Sequence, residues 1–413
     1  MPVLHWNGKT TTAPQPASLT IDSVIHPNGA DWPDTSPENK LYLGDNLAIM
    51  AALLPEYENR VNLIYADPPF FTNRHFTARI GRGEDSRKPR EWQLAKGYAD
   101  HWDNLDAYID FLYQRLALMV RLLAPGGTIY LHLDWHADAY ARLLLDELLG
   151  AEFFLNEIIW SYHGPSPIRS AFNRKHDTIL VYTKGPNYTF NADAVRIPYD
   201  ESTIKTFAAS TKAGFGKVPN LKRGKVPEDW WYFPVVARLH SERTGYPTQK
   251  PEALLERIIL ASSNPGDLVA DFFCGSGTTS LVAARHGRRF LTADATFRAI
   301  HTARERLVRE SAASFGIYTT DAEKLGVMGH PNFSFQLADG EIHLNSPESP
   351  AYWEVDLNWD GEIFNSLAQA VLPLRSGKIA STLKLPESKT GRRVCVRMVT
   401  SEGEQYQLEL DSQ

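Results

Sequence analysis

One segment constrains the fold more than any other. Leu268-Val269-Ala270-Asp271 is a short apolar run ending in a carboxylate, and it passes directly into Phe272-Phe273-Cys274-Gly275-Ser276-Gly277-Thr278-Thr279. A helical stretch over 280–286 stops at Gly287, and a second apolar run, 289–293, ends in Asp294. The order is strand, glycine turn, helix, strand. Such runs suit parallel strands buried on both faces. Glycines at 275 and 277 let a ligand lie against bare backbone, and the helix start beyond them offers unpaired N–H groups to an anion. Asp294 falls at about the twenty-residue spacing where dinucleotide folds place a ribose-binding acid. A nucleoside cofactor fits. By itself the turn equally serves tight strand–helix packing or a nicotinamide cofactor.

A second motif lies upstream. The apolar run Val61-Asn62-Leu63-Ile64-Tyr65-Ala66 ends in Asp67-Pro68-Pro69-Phe70. Ligands of open α/β sheets sit just past the carboxyl ends of such strands, so Asp67 is expected at the mouth of a site. Two prolines fix φ near −65° and push the preceding residue into extended backbone, which leaves Asp67 and the Pro68 carbonyl little freedom. An exocyclic amine on a nucleobase is planar and poorly nucleophilic. Two acceptors on its N–H groups pull it toward the tetrahedral form that attacks an electrophile, and the Phe70 ring can stack on the base. Alone, Asp-Pro-Pro is also an ordinary way to end a strand.

With Tyr246-Pro247-Thr248-Gln249-Lys250-Pro251 between the two, the set resembles the β-class DNA amino-methyltransferases, which use S-adenosylmethionine, over residues 41–309. The catalytic motif precedes the cofactor motif in that family, as it does here. The resemblance implies a catalytic set of Asp67, Pro68, Pro69 and Phe70. It implies a cofactor set of Asp45, Thr248, Lys250, Asp271, Phe273, Gly275, Ser276, Gly277, Thr278 and Asp294. In it Asp271 holds the cofactor's amino group, Asp294 its ribose hydroxyls and Lys250 its carboxylate, with Asp45 near the adenine ring. The implied substrate is double-stranded DNA, flipped at one base, and N6 of adenine is preferred because N4-cytosine relatives more often carry Ser-Pro-Pro. Both amines present the same two hydrogens, so Asp-Pro-Pro-Phe does not itself exclude cytosine. An RNA amino-methyltransferase and a subunit active only with restriction or defence partners stay open, and relatives imply a homodimer.

Charge is distributed unevenly. Residues 311–413 hold 14 acidic and 8 basic side chains, a net −6 that equals the charge of the whole chain, so residues 1–310 are neutral overall. Within them, 205–225 carries Lys205, Lys212, Lys217, Lys222, Arg223 and Lys225 and no acid, a run suited to phosphates and expected as a mobile loop. A second basic loop follows the catalytic motif and includes Arg74 and Arg79. These eight are the expected DNA contacts. There is no apolar run of membrane-spanning length and no secretory layout at the N-terminus, so a cytoplasmic protein is expected. Cys274 and Cys395 are the only cysteines and fall in no paired spacing, which argues against a disulfide framework or structural zinc; no metal is expected.

The alternation of strands with helices predicts an α/β fold, a mostly parallel sheet with helices on both faces, and the resemblance implies that this is a Rossmann-like methyltransferase fold. Five regions are expected. They are a proline-rich extended arm (1–38), the catalytic half (39–160), an inserted target-recognition region (161–245), the cofactor half (246–310) and a small acidic β-rich C-terminal domain (311–413). Leu254, Leu255, Ile258 and Ile259 read as one packing stripe, and the aromatic cluster at 230–233 reads mainly as core for Trp230 and Trp231. His132 and Asp134 read as a satisfied polar pair at a strand end.

Overall fold

The structure, a computed structural model, describes residues 3–29, 36–80, 93–209, 220–237, 240–310, 312–320, 333–347, 350–373, 378–385 and 393–411. Its first twelve strands are β1 (Leu19–Ile25), β2 (Asn39–Leu43), β3 (Val61–Ala66), β4 (Arg74–Ile80), β5 (Gln93–Asp100), β6 (Leu123–Leu133), β7 (Phe154–Ser161), β8 (His176–Thr183), β9 (Trp230–Tyr232), β10 (Leu268–Asp271), β11 (Arg289–Asp294) and β12 (Phe315–Thr320). The helices are α1 (Asn46–Tyr57), α2 (Leu105–Leu122), α3 (Asp138–Leu148), α4 (Glu201–Ala209), α5 (Glu252–Ser262), α6 (Thr278–Arg285) and α7 (Phe297–Arg309). Ten of these strands form one sheet in the order β1-β12-β2-β11-β10-β3-β6-β8-β7-β9. From β12 to β6 every neighbouring pair is parallel. Beyond that block β8 and β7 run antiparallel, as does β1 against β12. The expected mostly parallel sheet is present.

Strand residues alternate between the two faces. Leu63 and Tyr65 pack with Leu254, Leu255, Ile258, Leu281 and Ile300, from α5, α6 and α7. Ile64 and Ala66 pack with Ile49, Leu112, Leu116, Met119 and Leu144, from α1, α2 and α3. Helices therefore cover both faces, and the stripe of α5 is packing. β3 continues through α2 to β6 on one side, while β10 continues through α6 to β11 on the other. The gap between the carboxyl ends of β3 and β10 is thus a topological switch point, where open α/β sheets bind ligands. Ala270 lies beside Ile64 in this pair, so two motifs two hundred positions apart converge at one edge of the sheet.

The C-terminal region is β-rich, as its alternating pattern predicted. It adds β13 (Ser334–Ala338), β14 (Glu341–Asn345), β15 (Tyr352–Asp356), β16 (Phe364–Ser366), β17 (Ala368–Val371), β18 (Thr382–Lys384), β19 (Arg393–Val399) and β20 (Gln405–Asp411). Two small sheets result, β13-β14-β18 and β17-β15-β19-β20, around Trp353, Val355, Val394 and Val396. β16 instead joins the main sheet, parallel to β1. Arg397 of β19 bonds Asp22 of β1 at 2.8 Å, so the region is fastened to the sheet edge.

Four local readings differ from the structure. The basic stretch after Phe70, expected as a loop, contains the antiparallel ribbon β4–β5. Lys205, expected in a mobile loop, lies in α4, whose start is organised by Asp200 accepting from Thr203 N at 2.8 Å. Trp231 is buried but Trp230 is 64% exposed, because successive residues of β9 point to opposite faces. Part of the N-terminal stretch also forms β1, while residues ahead of it lie along α2 and α3 through Thr10 N to Asp110 (2.7 Å) and Leu4 N to Glu147 (2.8 Å).

Candidate active site

Two cavities meet at the switch point. One, of about 430 Å³, is lined by Asp45, Phe111, Asp271, Phe273, Gly275 and Asp294 among others. The other, of about 520 Å³, is lined by Pro68, Phe70, Phe76, Trp160, Tyr162 and Asp177 among others. Asp67, Tyr98, Thr248 and Lys250 belong to both linings. Asp67 therefore stands in the wall between a first chamber built on the glycine turn and a second one built on aromatic rings.

The first chamber fits the expected cofactor. Gly277 has φ +74°, and a Cβ there would lie 2.4 Å from the Ala303 side chain, so only glycine lets the turn pack on α7. A Cβ on Gly275 would press the Tyr246 ring at 3.1 Å. No side chain caps α6, which leaves its first N–H groups open to an anionic group. Asp271 accepts from Phe273 N (2.9 Å) and from the Thr279 hydroxyl (2.6 Å). Asp294 accepts from Gly275 N (3.0 Å) and from Thr296 N (2.9 Å). Burial raises both acids, Asp271 to about 7, with Asp67 and Asp294 adding repulsion there. A chamber of buried carboxylates favours a cationic guest, and S-adenosylmethionine carries a sulfonium and an ammonium. Ser276 and Thr278 lie buried on the turn. Asp45 caps α1 through Leu47 N (3.2 Å) and pairs with Arg115 (2.8 Å), at the far end of the chamber.

This electrostatic arrangement sets a pH dependence. The resemblance implies the cofactor's ammonium beside Asp271; an ammonium there favours the carboxylate, so binding is expected to release a proton whenever the acid is protonated beforehand. Below pH 7 affinity for S-adenosylmethionine is expected to fall toward about tenfold per pH unit, and above pH 7 it levels off. Calorimetry in buffers of different ionisation enthalpy checks this, with proton release at pH 6, little at pH 8.5, and none at either pH in Asp271→Asn.

Asp67 follows β3, and one of its oxygens accepts from the Lys250 ammonium. The other, Oδ1, is buried without a hydrogen-bond partner. The resemblance gave Lys250 to a cofactor carboxylate, whereas here the ammonium bridges to the catalytic loop, 5.4 Å from the Phe70 ring centre. Thr248, at the same wall, takes a left-handed φ of +57° and lies 3.3 Å from the Tyr98 hydroxyl. The Pro69 carbonyl accepts from Tyr108 at 2.8 Å.

Sequence reasoning missed the residue that clamps this loop. Asp100, at the end of β5 and 1% exposed, accepts from the backbone N–H groups of Phe70 (3.2 Å), Phe71 (3.1 Å) and Thr72 (2.8 Å). It also accepts from the Thr72 hydroxyl (2.6 Å) and the Trp102 indole (2.8 Å). The clamp holds Phe71 at φ +66°, a conformation costly for an aromatic residue. Asp100→Ala is expected to lower kcat on the order of 100-fold through a misplaced loop, with cofactor affinity nearly unchanged. Rapid-quench rates and cofactor titration separate the two; an equal loss in both would make Asp100 merely structural. Its sequence neighbours, Ala99 and His101, gave no signal, since the clamp closes only when β5 folds back on β4.

His132 was also placed differently. It pairs across strands with Asp177 (3.2 Å), and Asp134 pairs instead with His136 (2.9 Å). A carboxylate only accepts, so Nε2 of His132 donates to Asp177 and Nδ1 meets the Tyr65 hydroxyl at 2.7 Å. Burial works against Asp177, yet the His132 bond, with Lys250 and Tyr162 adding to it, holds its carboxyl below the usual range. The His132 ring underlies Phe70 at 5.8 Å and 31°, which supports that ring as a stacking platform for a planar guest.

The expected DNA contacts are scattered. Arg74 is exposed at the start of β4; the side chain of Arg79, and Lys212 and Lys217 entirely, lie outside the described residues. Lys205 faces Glu201 at 3.6 Å, Arg223 is bound by Asp193 at 2.7 Å, Lys225 pairs with Glu228 at 2.5 Å, and Lys222 is exposed. Among the described residues no cluster of His, Cys, Asp and Glu could hold a metal ion, and no helix is long and apolar enough to cross a membrane. Cys274 and Cys395 are both buried and free.

A family model described as DNA methylase matches residues 61–305, more than half of the chain, which therefore belongs to that family. The Type II methyltransferase M.HpaI of Haemophilus parainfluenzae is 34% identical over 256 residues, 61% of this chain and 70% of that protein. The DNA adenine methyltransferase YhdJ of Escherichia coli is 34% identical over 252 residues, 60% of this chain and 75% of that protein. A solved structure, TTHA0409 of Thermus thermophilus complexed with S-adenosyl-L-methionine, is 23% identical with a TM-score of 0.43, covering 69% of this chain and 99% of that one.

Proposed function

We propose that the chain methylates N6 of an adenine flipped out of double-stranded DNA. The observation that carries this reading is the buried, unpartnered Asp67 Oδ1 in the wall between the two chambers. Asp271, Asp294, the glycine turn and the start of α6 would hold S-adenosylmethionine, which would supply an electrophilic methyl group, the electron pair of the broken sulfur–methyl bond staying on sulfur as the neutral thioether S-adenosylhomocysteine. Everything else falls to the protein. The aromatic chamber takes the base, with Phe70 stacking on it over His132. Asp67 Oδ1 accepts one amino hydrogen and the Pro68 carbonyl the other, which leaves the nitrogen lone pair free toward the first chamber. As that nitrogen forms its bond to carbon it gains positive charge, which the Asp67 carboxylate stabilises until the proton leaves to water. The Lys250 ammonium compensates the second Asp67 oxygen and keeps the carboxylate oriented. The clamp of Asp100 fixes the loop beforehand, so little reorganisation is left for the reaction itself.

The name of YhdJ as a DNA adenine methyltransferase supports DNA as the substrate and adenine over cytosine. The test is expression in cells without DNA methylation, followed by native sequencing of their DNA, beside an Asp67→Ala control. N6-methyladenine at one motif, absent from the control, is expected. N4-methylcytosine would overturn the base assignment, and methylated RNA with unmodified DNA would overturn the substrate.

A further inference from the structure

Residues 162–175, the connection between β7 and β8, form an arm with an unusual surface. β8 pairs antiparallel with β6, and Thr178 at its start faces Leu133 at the end of β6. The arm therefore leaves the sheet at the same carboxyl edge as Asp67. Tyr162 and Asp177, at its two roots, line the aromatic chamber. The arm is tied to itself: Tyr162 N donates to Lys175 O at 3.0 Å, and the Asn173 side chain exchanges hydrogen bonds with both backbone groups of Ile168 at 3.0 and 3.1 Å. At the tip this closure leaves the Phe172 ring 98% exposed. An ordered turn that presents a bare aromatic ring forgoes the burial that normally places phenylalanine inside a protein.

Charge names the occupant. Between Ser161 and His176 there is no Asp or Glu, while Arg169, Arg174 and Lys175 lie close to Phe172 in the chain. Among the described residues none of the three pairs with a carboxylate. Arg174 stacks over the Trp135 ring at 4.1 Å, and Lys175 donates to the Pro165 carbonyl. Arg223 and Lys225 of the longer basic run, by contrast, are already neutralised by Asp193 and Glu228. Free cations around a protruding ring, on the rim of a chamber that takes a planar base, match a polyanion with stacked bases.

We propose that this arm enters the DNA duplex beside the target base and that Phe172 occupies the space the base vacates when it flips. This rests on the function proposed above. The ring stacks on the neighbouring bases, offsetting the stacking lost on flipping, and the arginines hold the flanking phosphates. The sequence read from native DNA supplies the probe: one duplex with the target adenine opposite thymine, another with it opposite an abasic site, where flipping meets little resistance. Phe172→Ala cannot disturb a core, since the ring touches solvent on nearly all sides. It is expected to slow single-turnover methylation roughly 10- to 100-fold on the paired duplex and to leave the abasic duplex within about threefold of the unaltered protein. Phe172→Trp is expected to keep the paired rate. Equal losses on both duplexes, or no loss on either, would overturn the proposal. If the unaltered protein methylates neither duplex, it is the parent function that has failed.

Discussion

Asp67→Ala is expected to reduce methyl transfer by about 10²- to 10³-fold or more, equivalent to about 3–4 kcal/mol or more of lost transition-state stabilisation. The magnitude follows from position. Oδ1 is buried without a partner, so a hydrogen-bonding amine placed there satisfies a group that otherwise carries a desolvation cost. Alanine removes that acceptor and also strips the buried Lys250 ammonium of its counter-charge. Asp67→Asn tests the electrostatics without changing the shape, because its amide keeps one acceptor but no negative charge; it is expected to fall nearly as far. Affinity for S-adenosylmethionine is expected to stay within several-fold in both, since Asp271, Asp294 and the glycine turn are untouched. Single-turnover transfer of a labelled methyl group, with cofactor binding measured separately, checks this. Retention of a tenth or more of the rate in Asp67→Ala would remove Asp67 from the chemistry.

Much of this site was legible because its two motifs are local. Strand, turn and helix signals lie within a few residues at 268–294, and two prolines announce a fixed loop at 68–69. That the two motifs share one crevice follows from the rule that ligands bind at switch points, and β10 beside β3 supplies that switch point. What stayed hidden depends on long-range pairing. Asp100 reaches the catalytic loop only because β5 folds back on β4, and a lone acid near residue 100 carries no pattern. His132 read as a partner of Asp134, two residues on. Residues two apart in a strand share a face, yet His132 sits opposite Ile179, beside Asp177 across β8, while Asp134 lies beyond the strand end and turns to His136. The charge run at 205–225 was conspicuous in sequence, whereas structure shows part of it spent on local acids. A linear count of cations does not reveal which of them are already paired.

Glu354→Ala is expected to cost about 3–5 kcal/mol of stability, the largest loss of fold stability anticipated here, because it strands a charge inside the protein. Arg304 of α7 and Glu354 of β15 form an ion pair at 3.2 Å with side chains 1% and 0% exposed. Tyr352 donates to the other Glu354 oxygen at 2.7 Å, and the Arg304 guanidinium lies 4.4 Å over the Tyr352 ring. His301, which burial first and nearby arginines second hold well below its usual pKa, meets Arg304 at 2.7 Å as an acceptor. The pair joins the C-terminal region to the helix behind the glycine turn. Two residues on, and so on the opposite side of the same helix, Arg306 donates to Ser276 O at 3.1 Å and to the Thr278 hydroxyl at 2.9 Å. Through α7, the acidic region, unsuited to phosphates, is expected to buttress the glycine turn. Two consequences separate this account from simple loss of folding. Glu354→Ala is expected to weaken S-adenosylmethionine binding under conditions where the protein remains folded, and replacing both partners by apolar residues, Arg304→Met with Glu354→Leu, is expected to recover most of the stability. Denaturant midpoints and cofactor titrations on these two variants and the unaltered protein decide it: a double variant as unstable as Glu354→Ala would show that packing against Tyr352 and His301, rather than the stranded charge, carries the cost.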